Sequence, residues 1–335
     1  MQKSGNYKKR FEDFNNLKIM IIGDVMVDSY LWGKVERISA EAPIPIVSLR
    51  KRENRMGGAA NVAMNIKSMG AKPILCSVIG ADEKGNQFLE LLKKEKIEDT
   101  GIVRSNRRIT TTKFRIFGNS FQMLRVDEEV ENDLADKDFQ TLLRVIDQII
   151  EKEKIDCIVF QDYDKGVITP RLIREIVERA VKNGIPTTVD PKKKNFEAYH
   201  GVTLFKPNLK ELKEGIKAEK EFYNREIIIK EAQALRERLD VRYILTTLSE
   251  QGVMISLKEK QDPETILIPA HLRSVSDVSG AGDTVISLAS LCLALGLTPY
   301  EIAFISNLAG GLVCEEVGVV PVNKEKLLRE VLSLI

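Results

Sequence analysis

In the stretch SDVSGAGDTVISLASLCLALG, residues 276–296, two aspartates and two glycines stand directly against a long apolar run. Gly280 and Gly282 flank Ala281, so the backbone can turn sharply there and approach a ligand without a Cβ in the way. The pattern predicts a helix beginning near Asp283. Its unpaired N–H groups and positive dipole end would face the turn, which suits a phosphate. A carboxylate beside an anion site repels the anion unless it serves an incoming nucleophile. Asp283 can there accept the proton of an attacking hydroxyl, as phosphoryl transfer requires. The plainer alternative is an acidic residue that favours a helix start. Asp277 is given no role beyond shaping the turn.

A second glycine pair opens MGGAANVAMNIKSMG, residues 56–70. Ala59, Val62, Ala63, Ile66 and Met69 have helical spacing, and Gly70 ends it. Gly57 and Gly58 leave backbone N–H groups open to a ligand at the helix start, and Asn61 adds an amide that donates and accepts. A tightly packed helix start built from small residues explains the same pattern. Competing glycine motifs fit poorly: there is no G-x-x-x-x-G-K-[ST], and GAGDTV lacks the third glycine of a dinucleotide fingerprint. After Gly296, TPYE starts another helix with Thr298 as cap, Pro299 at its first position and Glu301 closing a capping box. That helix carries Asn307 and the pair Gly310-Gly311, which leave room for a planar ring or for close helix packing.

Such segments need a scaffold. Strand-type runs occur at 17–23, 73–80, 156–161, 185–190, 202–207, 243–247 and 253–257, with helical stretches near 86–96, 136–153, 170–183, 208–215 and 225–239. Continuous apolar strands alternating with amphipathic helices predict an α/β fold whose mostly parallel sheet is covered on both faces. Residues 28–50 and 108–127 break the rhythm and read as strand pairs, the second with Gly118-Asn119 as its turn. They predict a small β-sheet projecting from the body, or else an edge extension of the main sheet. The 335 residues are taken as one domain, 1–335, with this appendage.

Lys plus Arg is 51 and Asp plus Glu 49, a balance that argues against nucleic acid or membrane as a partner. The N-terminus has no apolar run suited to a signal peptide, and Val285–Leu297 is too short to span a bilayer, so a cytoplasmic location is expected. Cys76, Cys157, Cys292 and Cys314 stand beside apolar residues with no C-x-x-C spacing and read as buried thiols. His200 and His271 are the only histidines, too few for a His-based metal centre or triad.

With both glycine segments in view, the chain resembles the ribokinase-like (PfkB) carbohydrate kinases over essentially its whole length. GGAANVAMNIKSMGAKPILCSVIGAD looks like that family's first signature and DVSGAGDTVISLASLCLALG like its second, in the expected order. The resemblance implies a three-layer α/β/α core with a small β-sheet lid, binding ATP, Mg²⁺ and a sugar. GDVMVDSYLWGKVERISAEAPIPIV, QDYDKGVIT, VDPKKKNFEAYHGVTLFKPNLKEL and TTLSEQG look like the heptose-7-phosphate kinase branch, in its stand-alone form. That branch phosphorylates the anomeric 1-hydroxyl of D-glycero-β-D-manno-heptose 7-phosphate, on the way to ADP-heptose for lipopolysaccharide.

Carried over by position, Asp283 matches the catalytic base and Gly280, Ala281 and Gly282 the anion hole. Asp24, Asp28, Gly57, Gly58 and Asn61 match residues that hold sugar hydroxyls. Asn208, Leu209, Lys210 and Glu211 match a nucleotide-contacting segment, and Thr247, Glu250, Gly252 and Asn307 the later nucleotide site. Lys113, Arg115 and Arg125 on the expected lid, with Lys165 and Lys192 after strand ends, suit a sugar phosphate; each alone also suits a solvated surface. Leu248 stands where the branch often has arginine, and Asp164 where it more usually has glycine. The resemblance further implies a homodimer formed through the lid, with Leu31, Trp32, Ile44 and Ile46 covering either a partner or the protein's own pocket.

Overall fold

The computed structural model describes residues 2–217, 224–259, 262–271 and 273–335. Its strands, numbered in chain order, form two sheets. The large one runs β13 (Asp262–Ile268), β12 (Val253–Glu259), β11 (Tyr243–Thr247), β10 (Leu204–Phe205), β9 (Thr187–Asp190), β8 (Cys157–Gln161), β1 (Lys18–Gly23), β4 (Lys72–Gly80), β5 (Ile102–Ser105). All neighbours are parallel from β11 to β5, while β12 and β13 are antiparallel additions. This is the α/β architecture with a mostly parallel sheet that the alternation predicted.

Both faces of the large sheet are dry. Along β1, Ile19 and Ile21 enter one core with α1 (Gln2–Asp13), α2 (Ala59–Ser68), α3 (Glu83–Lys94), α8 (Ala281–Ala294), α9 (Pro299–Val313) and α10 (Lys324–Ser333). Met20 and Ile22 enter the other, with α4 (Asp136–Lys152), α5 (Pro170–Asn183), α6 (Leu209–Gly215) and α7 (Arg225–Arg238). A strand buried on both faces has no polar alternation, so these runs read as continuous apolar stretches. Helix α1 is absent from the sequence reading, although Tyr7, Phe11 and Phe14 recur at helical spacing and all are buried. Strand β13 and helix α10 are likewise new; β13 opens with Asp262-Pro263, chemistry that an edge strand tolerates.

The second sheet is separate, in the order β3 (Pro45–Gly58), β2 (Val25–Ile38), β6 (Thr112–Gly118), β7 (Phe121–Glu128). It is not an edge extension. Only Asp24 separates β1 from β2, so the small sheet is tied to the C-terminal end of a central strand. Strand β3 runs past the expected limit at residue 50, because Lys51, Glu53 and Arg55 alternate along it before the glycines. The β6–β7 turn is Asn119-Ser120, both at positive φ (52° and 71°), and not Gly118-Asn119. Gly118 stays in the ladder, where a Cβ would stand 2.5 Å from Val35 Cγ2.

Register gives the small sheet two unlike faces. Asp28, Tyr30 and Trp32 on β2 line up with Arg55 and Glu53 on β3, Lys113, Arg115 and Phe117 on β6, and Asp127 and Arg125 on β7. The opposite face carries Leu31, Phe114, Ile116, Leu124 and Val126. Trp32 therefore belongs to the charged face, stacked on Phe117 with ring centroids 4.1 Å apart.

Candidate active site

The C-terminal ends of the parallel strands converge on the start of α8, the edge of an open α/β sheet where ligands bind. Helix α8 begins at Ala281, two residues before the expected start. Gly280 caps it at φ +81°, in the left-handed region, and a Cβ there would lie 3.0 Å from Asn61 Nδ2. Gly282 and Asp283 thus occupy the second and third helical positions, whose N–H groups have no acceptor in the preceding turn. Gly280, Ala281 and Gly282, expected to form an anion hole, stand at a helix N-terminus, where the Ala281 amide bonds to Val278 O at 3.2 Å.

Asp283 is buried and held by three donors. Asn61 Nδ2 donates to Oδ2 at 2.6 Å; Gln161 Nε2 (3.0 Å) and the Tyr163 hydroxyl (2.8 Å) donate to Oδ1. Burial pushes its carboxyl up to about 6, and Asp190 adds to the rise. The hydrogen bonds from Asn61 and Tyr163 and the charge of Lys206 oppose it. Burial and the neighbouring Asp283 raise the Tyr163 phenol well above its usual range, so it stays a donor. One Oδ2 lone pair remains for an incoming hydroxyl. The carboxylate is oriented and charged near neutrality, as a general base needs.

Behind Gly282 lies an ion pair the sequence reading missed. Lys206 Nζ, 3.1 Å from Asp190 Oδ1, and Asp190 itself are both buried. A Cβ on Gly282 would stand 3.6 Å from Asp190 Oδ2 and 3.7 Å from Lys206 Nζ. These are ordinary contact distances, so the buried cation lies close beneath the helix start without requiring glycine there. Gln161, Tyr163, Asp190 and Lys206 all sit at or just beyond strand ends, and the strand-end rule was the signal that could have found them.

On the acceptor side the structure gathers Asp28, Gly57, Gly58 and Asn61. A Cβ on Gly57 would come 2.3 Å from Asp28 Oδ2, and Gly58 takes φ +62° at the cap of α2. Asp24 is placed differently from the expectation. Its carboxylate accepts the amides of Tyr163 (2.9 Å), Lys165 (3.2 Å) and Val167 (2.9 Å), so it clamps the 162–167 loop from within. Burial and nearby Asp162 push Asp24 up to about 6 in spite of these amides. Asp164 takes φ +56° in that loop, a conformation aspartate tolerates, which accounts for its standing at a position suited to glycine.

The expected phosphate-binding cations all have carboxylate partners. Arg115 pairs with Asp28, and Lys192 with Glu211. Lys113 reaches Asp127 (3.3 Å) and Glu129 (3.4 Å), and Arg125 reaches Asp127 (3.0 Å). Lys165 reaches Glu129 (2.8 Å) and Glu131 (2.7 Å). They are neither bare nor merely solvated.

Of the expected nucleotide residues, Asn208 and Glu211 close a capping box on α6, and Thr247 bridges to Asn208 at the end of β11. Gly252 turns at φ +94° against Ile268, and Asn307 Nδ2 donates to Pro269 O at 2.9 Å. Glu250 is exposed nearby. The side chains of Leu209 and Lys210 do not join them: Leu209 packs into the core, and Lys210 is exposed beside Glu214. Leu248 is also buried, as the apolar side chain at an arginine position must be. Gly310 and Gly311 make no room for a ring. A Cβ on Gly310 would meet Val285 Cγ2 at 2.7 Å and one on Gly311 would meet Arg273 Nε at 2.6 Å, so both serve packing.

Comparison with known proteins agrees with this geometry. The pattern of the pfkB family carbohydrate kinases matches residues 16–326. The chain is 34% identical over 322 residues to the bifunctional protein HldE of Geotalea uraniireducens, covering 96% of this chain and 64% of that protein. With the bifunctional protein HldE of Koribacter versatilis it shares 37% identity over 311 residues, 92% of this chain and 62% of the relative. The chain thus spans less than two thirds of these curated relatives. Phosphofructokinase-2 from Escherichia coli, solved with potassium, superimposes with a TM-score of 0.77 at 19% identity, covering 95% of this chain and 99% of that one. Ribokinase from Thermotoga maritima gives 0.67 at 20% identity, covering 93% and 99%.

Proposed function

The chain belongs to the pfkB family of carbohydrate kinases, and from that premise we propose that it phosphorylates the anomeric 1-hydroxyl of D-glycero-β-D-manno-heptose 7-phosphate with ATP. The reading is carried by Asp283, a buried carboxylate beside the open amides of α8 and fixed by Asn61, Gln161 and Tyr163. The motif resemblance to the heptose-7-phosphate kinase branch and the bifunctional HldE relatives support the substrate.

In the proposed reaction the sugar hydroxyl donates to Asp283 Oδ2, the oxygen with a free lone pair. As its oxygen attacks the terminal phosphorus of ATP, the proton passes to that carboxylate, the bond to the ADP oxygen breaks, and ADP leaves. The amides of Gly282 and Asp283 receive the charge on the transferring group, and Lys206 strengthens their field from below. The charged face of the small sheet closes over the sugar as a lid and keeps water from the phosphoryl group. Residues 1–335 are read as one kinase unit built this way.

Among the described residues no group of three or more acids, histidines or cysteines could hold a metal alone. Asp190 Oδ1 is nevertheless a buried acceptor that makes no hydrogen bond despite its ion pair with Lys206. That suits a Mg²⁺ carried by ATP, for which one or two carboxylates with phosphate oxygens are the usual shell, and Asp190 is the residue that would hold it. When bound, the metal neutralises phosphate charge.

The test is ADP release with ATP, Mg²⁺ and a panel of sugars and sugar phosphates. Turnover of another sugar but not of heptose 7-phosphate overturns the substrate and leaves the kinase. The pH profile supplies a second check. The groups facing Asp283 are Asn61, Gln161, Tyr163, Asp190, Lys192 and Lys206, and together they leave it near 6. Because the base works deprotonated, kcat/KM falls about tenfold per unit below pH 6. Tyr163→Phe removes a donor that favours the charged form, so its acidic limb moves to higher pH. An unmoved limb would assign that ionisation to another group.

We also propose a homodimer through the outer face of the lid and a cytoplasmic site of action, where ATP is available. Leu124 (54% exposed), Val126 (45%) and Phe121 (75%) lie on β7, with Leu49 and Ile44 exposed on and beside β3. Such an apolar surface suits a second copy. Leu124→Glu should convert a dimer into a monomer by light scattering. A wild-type chain that elutes as a monomer at all concentrations ends this proposal.

A further inference from the structure

One carboxylate joins the two sheets on the acceptor side. Glu129 Oε1 accepts from Lys165 Nζ at 2.8 Å, and its Oε2 accepts from Lys113 Nζ at 3.4 Å. Lys113 belongs to β6 of the small sheet, while Lys165 lies on the loop after β8 of the large sheet. All three side chains are largely buried, at 15%, 21% and 11% exposure for Lys113, Glu129 and Lys165. We propose that Glu129 holds the place of the acceptor's own phosphate: Lys113 and Lys165 bind the phosphate of a phosphorylated sugar, and Glu129 leaves them when it arrives. This rests on the reading of the chain as a sugar-phosphate kinase.

The position is right for the far end of such a sugar. Lys165 follows Tyr163 by two residues, and the Tyr163 hydroxyl is bonded to Asp283. Two residues of chain separate their Cα atoms by about 7 Å at most, so Lys165 belongs to the same short loop that orients Asp283, while the donors to Asp283 are Asn61, Gln161 and Tyr163.

The chemistry of exchange is also right. A carboxylate offers two oxygens and one charge; a phosphate monoester offers three oxygens and up to two charges to the same ammonium groups. Each lysine has one further carboxylate partner, Asp127 for Lys113 (3.3 Å) and Glu131 for Lys165 (2.7 Å), so the exchange of Glu129 for a phosphate leaves neither cation unpaired. Glu129 is suited to leave. It is the first residue beyond β7, outside the strand ladder, whereas Asp28, the partner of Arg115, lies within β2 between two strands. Glu211, the partner of Lys192, is fixed in the capping box of α6. An unphosphorylated sugar gives Glu129 no reason to move, so the bridge converts the charge of the substrate into selectivity.

The experiment uses the full chain and one sugar in phosphorylated and unphosphorylated form, read as the ratio of their kcat/KM values. Lys113→Met and Lys165→Met should each lower the ratio by about 10- to 100-fold, the worth of a charge-assisted contact, with Lys113→Arg restoring much of it. Glu129→Gln should raise the ratio. It should also make inorganic phosphate a stronger inhibitor against the sugar phosphate at saturating ATP. Should Lys165→Met not fold, Lys113→Met and Glu129→Gln carry the test. A ratio unmoved in these variants, or equal losses on both substrates, overturns the inference while leaving the kinase reading intact. If heptose 7-phosphate is not turned over but another sugar phosphate is, the proposed substrate falls and the ratio on that sugar decides the phosphate site. A wild-type chain that accepts only unphosphorylated sugars overturns both.

Discussion

Asp283→Asn is expected to lower turnover by about 10²- to 10⁴-fold, the usual contribution of a positioned general base, while ATP binding and the melting temperature change little. Asparagine keeps the shape of the side chain, and its carbonyl oxygen can still accept from Gln161 and Tyr163. The other end becomes an NH₂ facing Asn61 Nδ2, now 2.6 Å from a carboxylate oxygen. Asn61 can answer by turning its own amide, so the packing survives. What is lost is the only atom that could take the hydroxyl proton. The variant should therefore also lose the acidic limb near pH 6. Turnover like that of the wild type would remove Asp283 from the chemistry and with it the reading built on this helix start.

The glycine turn and the acidic residue at the start of α8 were legible in the sequence because their information is local. Gly280, Gly282 and Asp283 stand within four residues, and helix-end physics assigns each a use. The partners of Asp283 were not legible in the same way. Gln161 and Tyr163 are more than a hundred positions away and reach it only because β8 and β9 pack against α8. Lys206 and Asp190 come from two different strand ends, so neither residue alone suggests an ion pair under Gly282. The basic residues show the converse. Their charges are visible in the sequence, but Asp28 meets Arg115 only when β2 pairs with β6, and Glu129 and Glu131 meet Lys165 only when the chain after β7 reaches the 162–167 loop.

That loop connects the parts. Gln161 and Tyr163 hold the base, and Asp24 fixes the loop through three backbone amides. At Lys165 the same segment meets Glu129, beyond the end of the small sheet. Any movement of the small sheet that displaces Glu129 thus acts on a segment that also orients Asp283. The aspartate at residue 24 was expected to touch sugar; its buried position makes it the anchor of this connection instead.

The buried pair beneath Gly282 gives the largest expected effect on stability. Lys206→Met should destabilise the fold by about 3–5 kcal/mol, the usual cost of removing one partner of a buried pair, because it leaves Asp190 in the interior without its ion-pair partner, with a 3.5 Å contact from Gln161 Nε2 and the field of Lys192 remaining. Methionine fills nearly the same volume, so a cavity contributes little. The double variant Lys206→Met with Asp190→Leu should recover much of that loss, since no uncompensated charge remains. Chemical denaturation of the three variants measures this directly. Both Lys206→Met chains should still turn over slowly at a temperature where they are folded, because the cation beneath the helix start is gone from each. Because the double variant also lacks the carboxylate that would hold the metal, the single variant assigns the loss: slow turnover by folded Lys206→Met, with Asp190 in place, separates the electrostatic role of Lys206 from its part in the fold. If turnover returns along with stability in the double variant, the lysine serves the fold alone, and the amides of α8 stabilise the transferring phosphoryl group without it.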